Sequence, residues 1–129
     1  MIAFSVIKSS SKLIATFFNH VNLSVTMNPV IIVSTYPNKK SVNNVANQLV
    51  KNKLVACVNI SKISSIYTWK GKVENTSEYL AFFKTTQKNK KKLKEKIKST
   101  HPYDVPEIAE INVKSINKSY LKWMIDSTL

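Results

Sequence analysis

Ser65-Ile66-Tyr67-Thr68-Trp69-Lys70-Gly71-Lys72-Val73 holds the only glycine of a 129-residue chain. A lone glycine between two runs of β-branched and aromatic residues marks a turn position with positive φ. The stretch therefore predicts a hairpin. Its first strand starts in Leu54-Val55-Ala56-Cys57-Val58-Asn59-Ile60, is interrupted at Ser61-Lys62-Ile63-Ser64 as by a kink or bulge, and resumes at Ser65. The return strand begins at Lys72-Val73, passes the polar Glu74-Asn75-Thr76-Ser77, and continues from Tyr79 to Thr86. Tyr67, Trp69, Tyr79 and Phe83 are available for cross-strand packing in such a pair.

The pattern on either side of the hairpin is equally regular. Val30-Ile31-Ile32-Val33-Ser34-Thr35 reads as a short buried strand, ended by Tyr36-Pro37-Asn38. Asn38 or Ser41 can cap the helix that follows. In that helix Val42, Val45, Ala46, Leu49 and Val50 recur at the spacing of one apolar face. Residues 88–100 predict a second helix with Leu93 and Ile97 as its stripe and seven lysines around it. That lysine face reads as solvated, with phosphate docking as the competing role. Residues 106–113 predict a fourth strand with Ile108, Ile111 and Val113 as its apolar members, and residues 119–126 a closing helix. The order strand, helix, strand, strand, helix, strand is the split βαβ arrangement of a ferredoxin-like α+β sandwich, here with a C-terminal helix added. Its two helices cover one face of a four-stranded sheet. Self-association is the simplest cover for the other.

Composition narrows the function. The chain fits one domain. It has 20 Lys, no Arg and 7 acidic residues, for a net charge of +13. Such a balance attracts anions, but bidentate recognition of phosphate or guanine is arginine chemistry. Nucleic-acid binding is therefore not expected as the primary function. The single Cys57 lies in an apolar run and reads as a small buried hydrophobe in a reducing, cytoplasmic setting. No run of about 20 apolar residues exists, so no membrane span is expected. Residues 1–26 differ from the rest: two apolar patches flank Lys8-Ser9-Ser10-Ser11-Lys12. They read as an N-terminal extension outside the domain, with Met27 as the natural start and the domain at 27–129. A Lys/Ser targeting segment, or an extra element packed on the domain, is the competing reading.

His101-Pro102-Tyr103-Asp104-Val105-Pro106-Glu107-Ile108 is the most chemically loaded stretch. Its prolines fix φ twice and bias His101 and Val105 to extended geometry. The segment ends the lysine-rich helix and cannot itself be helical. Rigid loops rich in titratable groups are where binding or catalysis tends to sit. No Ser-His-Asp arrangement, Gly-rich phosphate loop or metal-ligand cluster can be placed, so an enzyme is not expected.

Five motifs in order carry a resemblance. Residues 54–60, 65–73, Lys84-Thr85, 101–108 and Tyr120-Leu121-Lys122-Trp123 resemble the CutA family of divalent-cation tolerance proteins, over roughly residues 29–129. The resemblance implies a compact homotrimer, similar in fold and assembly to the PII signalling proteins, with hairpins reaching across neighbours. It also implies tolerance to copper or another divalent cation. Where bacterial members carry a first-strand cysteine and a histidine pair as proposed copper ligands, this chain has Ser34 and Thr100-His101. Hydroxyls are poor ligands for such metals. The expected metal residue is thus His101, assisted by Glu107 or Asp104 or by symmetry-related copies. A second expectation groups Trp69, Lys84, Tyr103 and Glu107 at a subunit boundary. There they hold a small anionic or polar ligand, or form an interface network in which Lys84 pairs with Glu107. The alternative function is a PII-like signalling or scaffold trimer that binds a small ligand or a protein partner.

Overall fold

The computed structural model describes residues 26–129. The elements are β1 (Pro29–Tyr36), α1 (Lys39–Lys51), β2 (Cys57–Trp69), β3 (Lys72–Thr86), α2 (Gln87–Thr100), β4 (Ala109–Asn112) and α3 (Lys118–Ser127). The sheet order is β2-β3-β1-β4, with antiparallel pairing throughout. This is the ferredoxin-like split βαβ topology that the element order predicted.

Strand parity divides the molecule. Val30, Ile32 and Tyr36 of β1 and Ala81 and Phe83 of β3 face the helix layer. Val42, Val45 and Leu49 of α1 and Leu93 and Ile97 of α2 complete this core. Val50, expected on the apolar face of α1, is 44% exposed at the helix end. Asn38 caps α1, its side-chain oxygen accepting from the Ser41 N–H at 2.8 Å. On the opposite face Val33 pairs with Phe82 and Ala109, and Ile31 with Lys84 and Ile111. There α3 approaches β3, and Met27 is buried against Ile125 and Leu121.

The hairpin departs from expectation in two ways. β2 and β3 pair without interruption from Cys57↔Lys84 to Trp69↔Lys72, so residues 61–64 form no bulge. Ser61, Lys62 and Ser64 are exposed on this strand, which breaks the apolar run without breaking the ladder. Tyr67 and Trp69 also do not pack across from Tyr79 and Phe83. Their ladder partners are Glu74 and Lys72, while Tyr79 and Phe83 turn to the helix layer. Lys70 and Gly71 both have positive φ, 50° and 78°, as a two-residue turn between twisted strands requires. The fourth strand covers only Ala109–Asn112 of the expected 106–113. Pro106 has no N–H to give the ladder, and Val113 would stand opposite Pro29, which has none either. Residues 1–25, which carry nearly all of the predicted N-terminal extension, lie outside the described residues.

Candidate functional site

The loop after α2 wraps around the end of β1. Its anchor is His101, whose ring stacks on Tyr36 with centroids 4.3 Å apart and planes at 22°. His101 Nδ1 accepts from the Tyr103 backbone N–H at 3.1 Å, which leaves the ring proton on Nε2. Nε2–H then donates to Ser34 Oγ at 3.1 Å, a hydroxyl that is fully buried. Burial lowers the His101 pKa, and a backbone hydrogen bond at Thr35 and the charge of Glu78 oppose that shift only in part. Beneath it, burial raises Tyr36 to about 12, offset slightly by Ser34, and its hydroxyl finds no partner among the described residues.

From this anchor the chain carries Tyr103 to the other side of the sheet. The Tyr103 O–H donates to Glu78 Oε2 at 2.7 Å. Burial, that hydrogen bond and the neighbouring Glu78 charge all push the phenol pKa up. Glu78 is only 9% exposed although it carries a carboxylate. Together these groups form one wall of a cavity of about 520 Å³. The sheet contributes Thr35, Tyr67, Trp69 and Glu78, and the loop contributes Pro102, Tyr103, Asp104, Val105 and Glu107.

The predicted residues thus divide. Trp69, Tyr103, Asp104 and Glu107 share the cavity. His101 lies behind it as the loop's anchor. Lys84 lies elsewhere: its ammonium sits 5.6 Å from the Tyr120 ring centroid, near Cys57. Within one chain Lys84 does not pair with Glu107, and the ion pairs among the described residues join Lys90 and Lys94 to Glu110. Cys57 is half-buried rather than enclosed, because it opens β2 and turns to the α3 side, whereas Leu54, Val55 and Ala56 before it are buried. Glu78 and Tyr67 also line the cavity, beyond the residues the sequence points to. Strand parity placing Glu78 opposite Ile63, on the face away from the helices, is the signal that finds it.

A divalent metal fits this arrangement poorly within one chain. Both His101 nitrogens are engaged, and Ser34 and Thr100 supply only hydroxyls. Among the described residues no three His, Cys, Asp or Glu side chains converge as a metal-holding group.

Fold and cavity define a ferredoxin-like α+β domain with a cleft between a long hairpin and the His101–Glu107 loop, and no catalytic constellation among the described residues. The family model described as CutA1 divalent ion tolerance protein matches residues 30–127. The divalent-cation tolerance protein CutA of Pyrococcus horikoshii is 41% identical over 99 residues, 77% of this chain and 97% of that protein. The chloroplastic protein CutA of Arabidopsis thaliana is 37% identical over 122 residues, 94% of this chain and 67% of that protein. The crystal structure of the divalent ion tolerance protein CutA1 from Ehrlichia chaffeensis superposes with a TM-score of 0.76 at 34% identity, covering 79% of this chain and 96% of that one. The chain belongs to the CutA1 divalent ion tolerance family.

Proposed function

We propose that this chain serves divalent-cation tolerance, working as a homotrimer in the cytoplasm and meeting copper or another divalent ion through weak, reversible contact. The match to the family model over residues 30–127 carries this reading. Support for self-association comes from apolar surface one chain leaves open. Ile111 is 46% exposed on the face away from α1 and α2, and Ile66 and Val73 near the hairpin tip are 71% and 76% exposed. Support for weak rather than tight metal contact comes from the donor set. Both His101 nitrogens are already hydrogen-bonded and must give up a partner to meet a metal, and Asp104 and Glu107 offer only oxygens. One chain therefore supplies partial coordination, completed by water or by other copies.

Copper titration calorimetry on the full chain, beside His101→Ala and a Glu107→Gln, Asp104→Asn double variant, tests the metal contact. Mass analysis of the same samples tests the trimer. Binding no tighter than micromolar, weakened in the variants, is expected from a trimer. A well-folded trimer with no heat of copper binding overturns the metal reading, and a monomeric mass overturns the assembly. Cell fractionation tests the compartment, and recovery in a plastid, as named for the Arabidopsis relative, overturns the cytoplasmic assignment.

A further inference from the structure

The lysines of this chain are unevenly placed. Residues 39–53 and 87–100, which hold α1 and α2, carry 11 of the 20 lysines and one of the 7 acidic residues, Glu95. The other 100 residues carry 9 lysines and 6 acidic residues. The helix layer therefore has a charge of +10 and the remainder +3. Lys90 and Lys94 lie at its flank, paired with Glu110 of β4. The nine other lysines of the layer are exposed and have no ion pair among the described residues.

This arrangement works against helix stability. Neither helix has an acidic residue in its first turn, where the dipole favours one, and α1 opens on Lys39-Lys40 instead. In α2, Lys88, Lys92 and Lys96 repeat at i, i+4, a spacing at which like charges repel. A solvated helix face ordinarily mixes both signs. A face of one sign that costs stability points to an anionic partner. α1 and α2 cover one side of the sheet and the proposed self-association uses the other, so this face stays open in the assembly.

The chemistry of the face selects the anion. α1 and α2 contain no aromatic side chain on which bases could stack, and no Arg to grip phosphate bidentately. A plane of anionic lipid headgroups needs only point charges spread over a face, which lysine supplies. Between the helices, Lys92 and Lys96 border a surface hollow of about 460 Å³ with Asn52 and Ser99, and Glu95 is the one carboxylate in it. The chain also enters the domain at this layer, where the Lys88 N–H donates to the Thr26 carbonyl at 2.8 Å. Residues 1–25 hold Phe4, Phe17, Phe18, Lys8 and Lys12 and no acidic residue. Apolar residues mixed with lysine supply the second signal that a protein needs to stay on a membrane surface.

We infer that the outer face of α1 and α2 is a docking surface for an anionic lipid membrane, with Lys92 and Lys96 as headgroup contacts. The contact is peripheral, since no helix among the described residues is long and apolar enough to cross a bilayer. It does not depend on metal contact at His101.

Co-sedimentation of the full chain with vesicles tests it, using phosphatidylcholine with about one third phosphatidylserine beside phosphatidylcholine alone. Binding to the anionic vesicles only is expected, falling steeply as salt is added. Each lysine near such a surface contributes roughly fivefold, so a Lys92→Gln, Lys96→Gln double variant should bind about tenfold or more weakly. Glu95→Gln should strengthen binding. A Lys114→Gln, Lys118→Gln variant removes the same charge before and at the start of α3, on the other side of the sheet, and should leave binding unchanged. Circular dichroism and assembly mass confirm that the variants are folded. No binding by the folded wild-type chain, equal losses in the two double variants, or binding indifferent to salt overturns the assignment. Undiminished binding by the Lys92, Lys96 variant gives the contact to residues 1–25 and overturns the helix face. Nucleic acid is the rival occupant: tighter binding to duplex DNA than to the anionic vesicles at one salt concentration assigns the face to it and overturns the lipid surface.

Discussion

His101→Ala separates a structural imidazole from a free metal ligand. The substitution strands the Ser34 hydroxyl, which is 0% exposed and has His101 as its partner. An unsatisfied buried hydroxyl costs about 1–3 kcal/mol. The stack on Tyr36, with centroids 4.3 Å apart, adds about 0.5–1.5 kcal/mol. The Tyr103 N–H also loses its acceptor, but that edge is half-exposed and water replaces much of the bond. These contacts share one ring and do not simply add, so the expected loss is about 2–4 kcal/mol. Urea denaturation measures it, with a chelator present and protomer concentration fixed, because subunit association would shift the midpoint by mass action. A loss within the scatter of ordinary surface substitutions, about 0.5 kcal/mol, would refute the anchoring role. The pH dependence gives a second check. Burial holds the folded His101 pKa below its ordinary 6.5, so the unfolded chain takes up the proton first as pH falls. The stabilisation is therefore complete above the unfolded value and is lost as pH drops through the lower folded value. The gap between wild type and His101→Ala should narrow in acid. A gap that widens in acid would mean that His101 is stabilised as a cation, contrary to its Nδ1 accepting from a backbone N–H.

Four further substitutions probe the frame around the site. Leu93→Ala, at a position with no exposure between α2 and the sheet, should cost about 2–5 kcal/mol by denaturant titration. Gly71→Ala meets no atom within 4 Å of the new Cβ, so its cost comes from the φ of +78° alone. About 1 kcal/mol is expected, and near-neutrality would mean the turn relaxes. Lys70→Asn, at φ 50°, should instead stabilise by roughly a few tenths of a kcal/mol, since Asn-Gly is a preferred pair for such a turn. Glu110→Gln removes the partner of Lys90 and Lys94, whose hydrogen bonds hold the Glu110 carboxyl below its ordinary pKa. The pair's contribution is present above the ordinary carboxylate value and lost as pH falls through the lower folded one. The variant should lose that acid dependence, and added salt should shrink its difference from wild type.

The elements most legible in the sequence were those with local causes. Val42, Val45, Ala46 and Leu49 showed α1 by spacing, and Asn38 showed its cap. The lone glycine showed the turn, because positive φ is a backbone demand that few residues meet. Less legible was the continuity of β2. Ser61, Lys62 and Ser64 look like an interruption in a hydropathy pattern, yet backbone pairing with β3 runs through them. Hydrogen bonding of the ladder does not depend on side-chain polarity on an exposed strand. The extent of β4 is less legible for the opposite reason: Ile108 and Val113 are apolar and read as strand, yet the ladder to β1 covers only Ala109–Asn112.

The site itself shows where motif spacing stops being informative. Trp69, Tyr103, Asp104 and Glu107 come together because the hairpin and the proline-rich loop meet at one end of β1. Lys84 belongs to the same motifs but sits six strand positions from Glu78, roughly 20 Å along β3 at the usual rise. Proximity in a family pattern therefore did not become proximity in one chain. If Lys84 and Glu107 do pair, the pair must form between copies. A Lys84→Glu, Glu107→Lys exchange distinguishes the two arrangements. An interface pair would leave Lys84→Glu alone lowering the assembly mass and the double exchange restoring it. Independent roles would leave the mass unchanged in both.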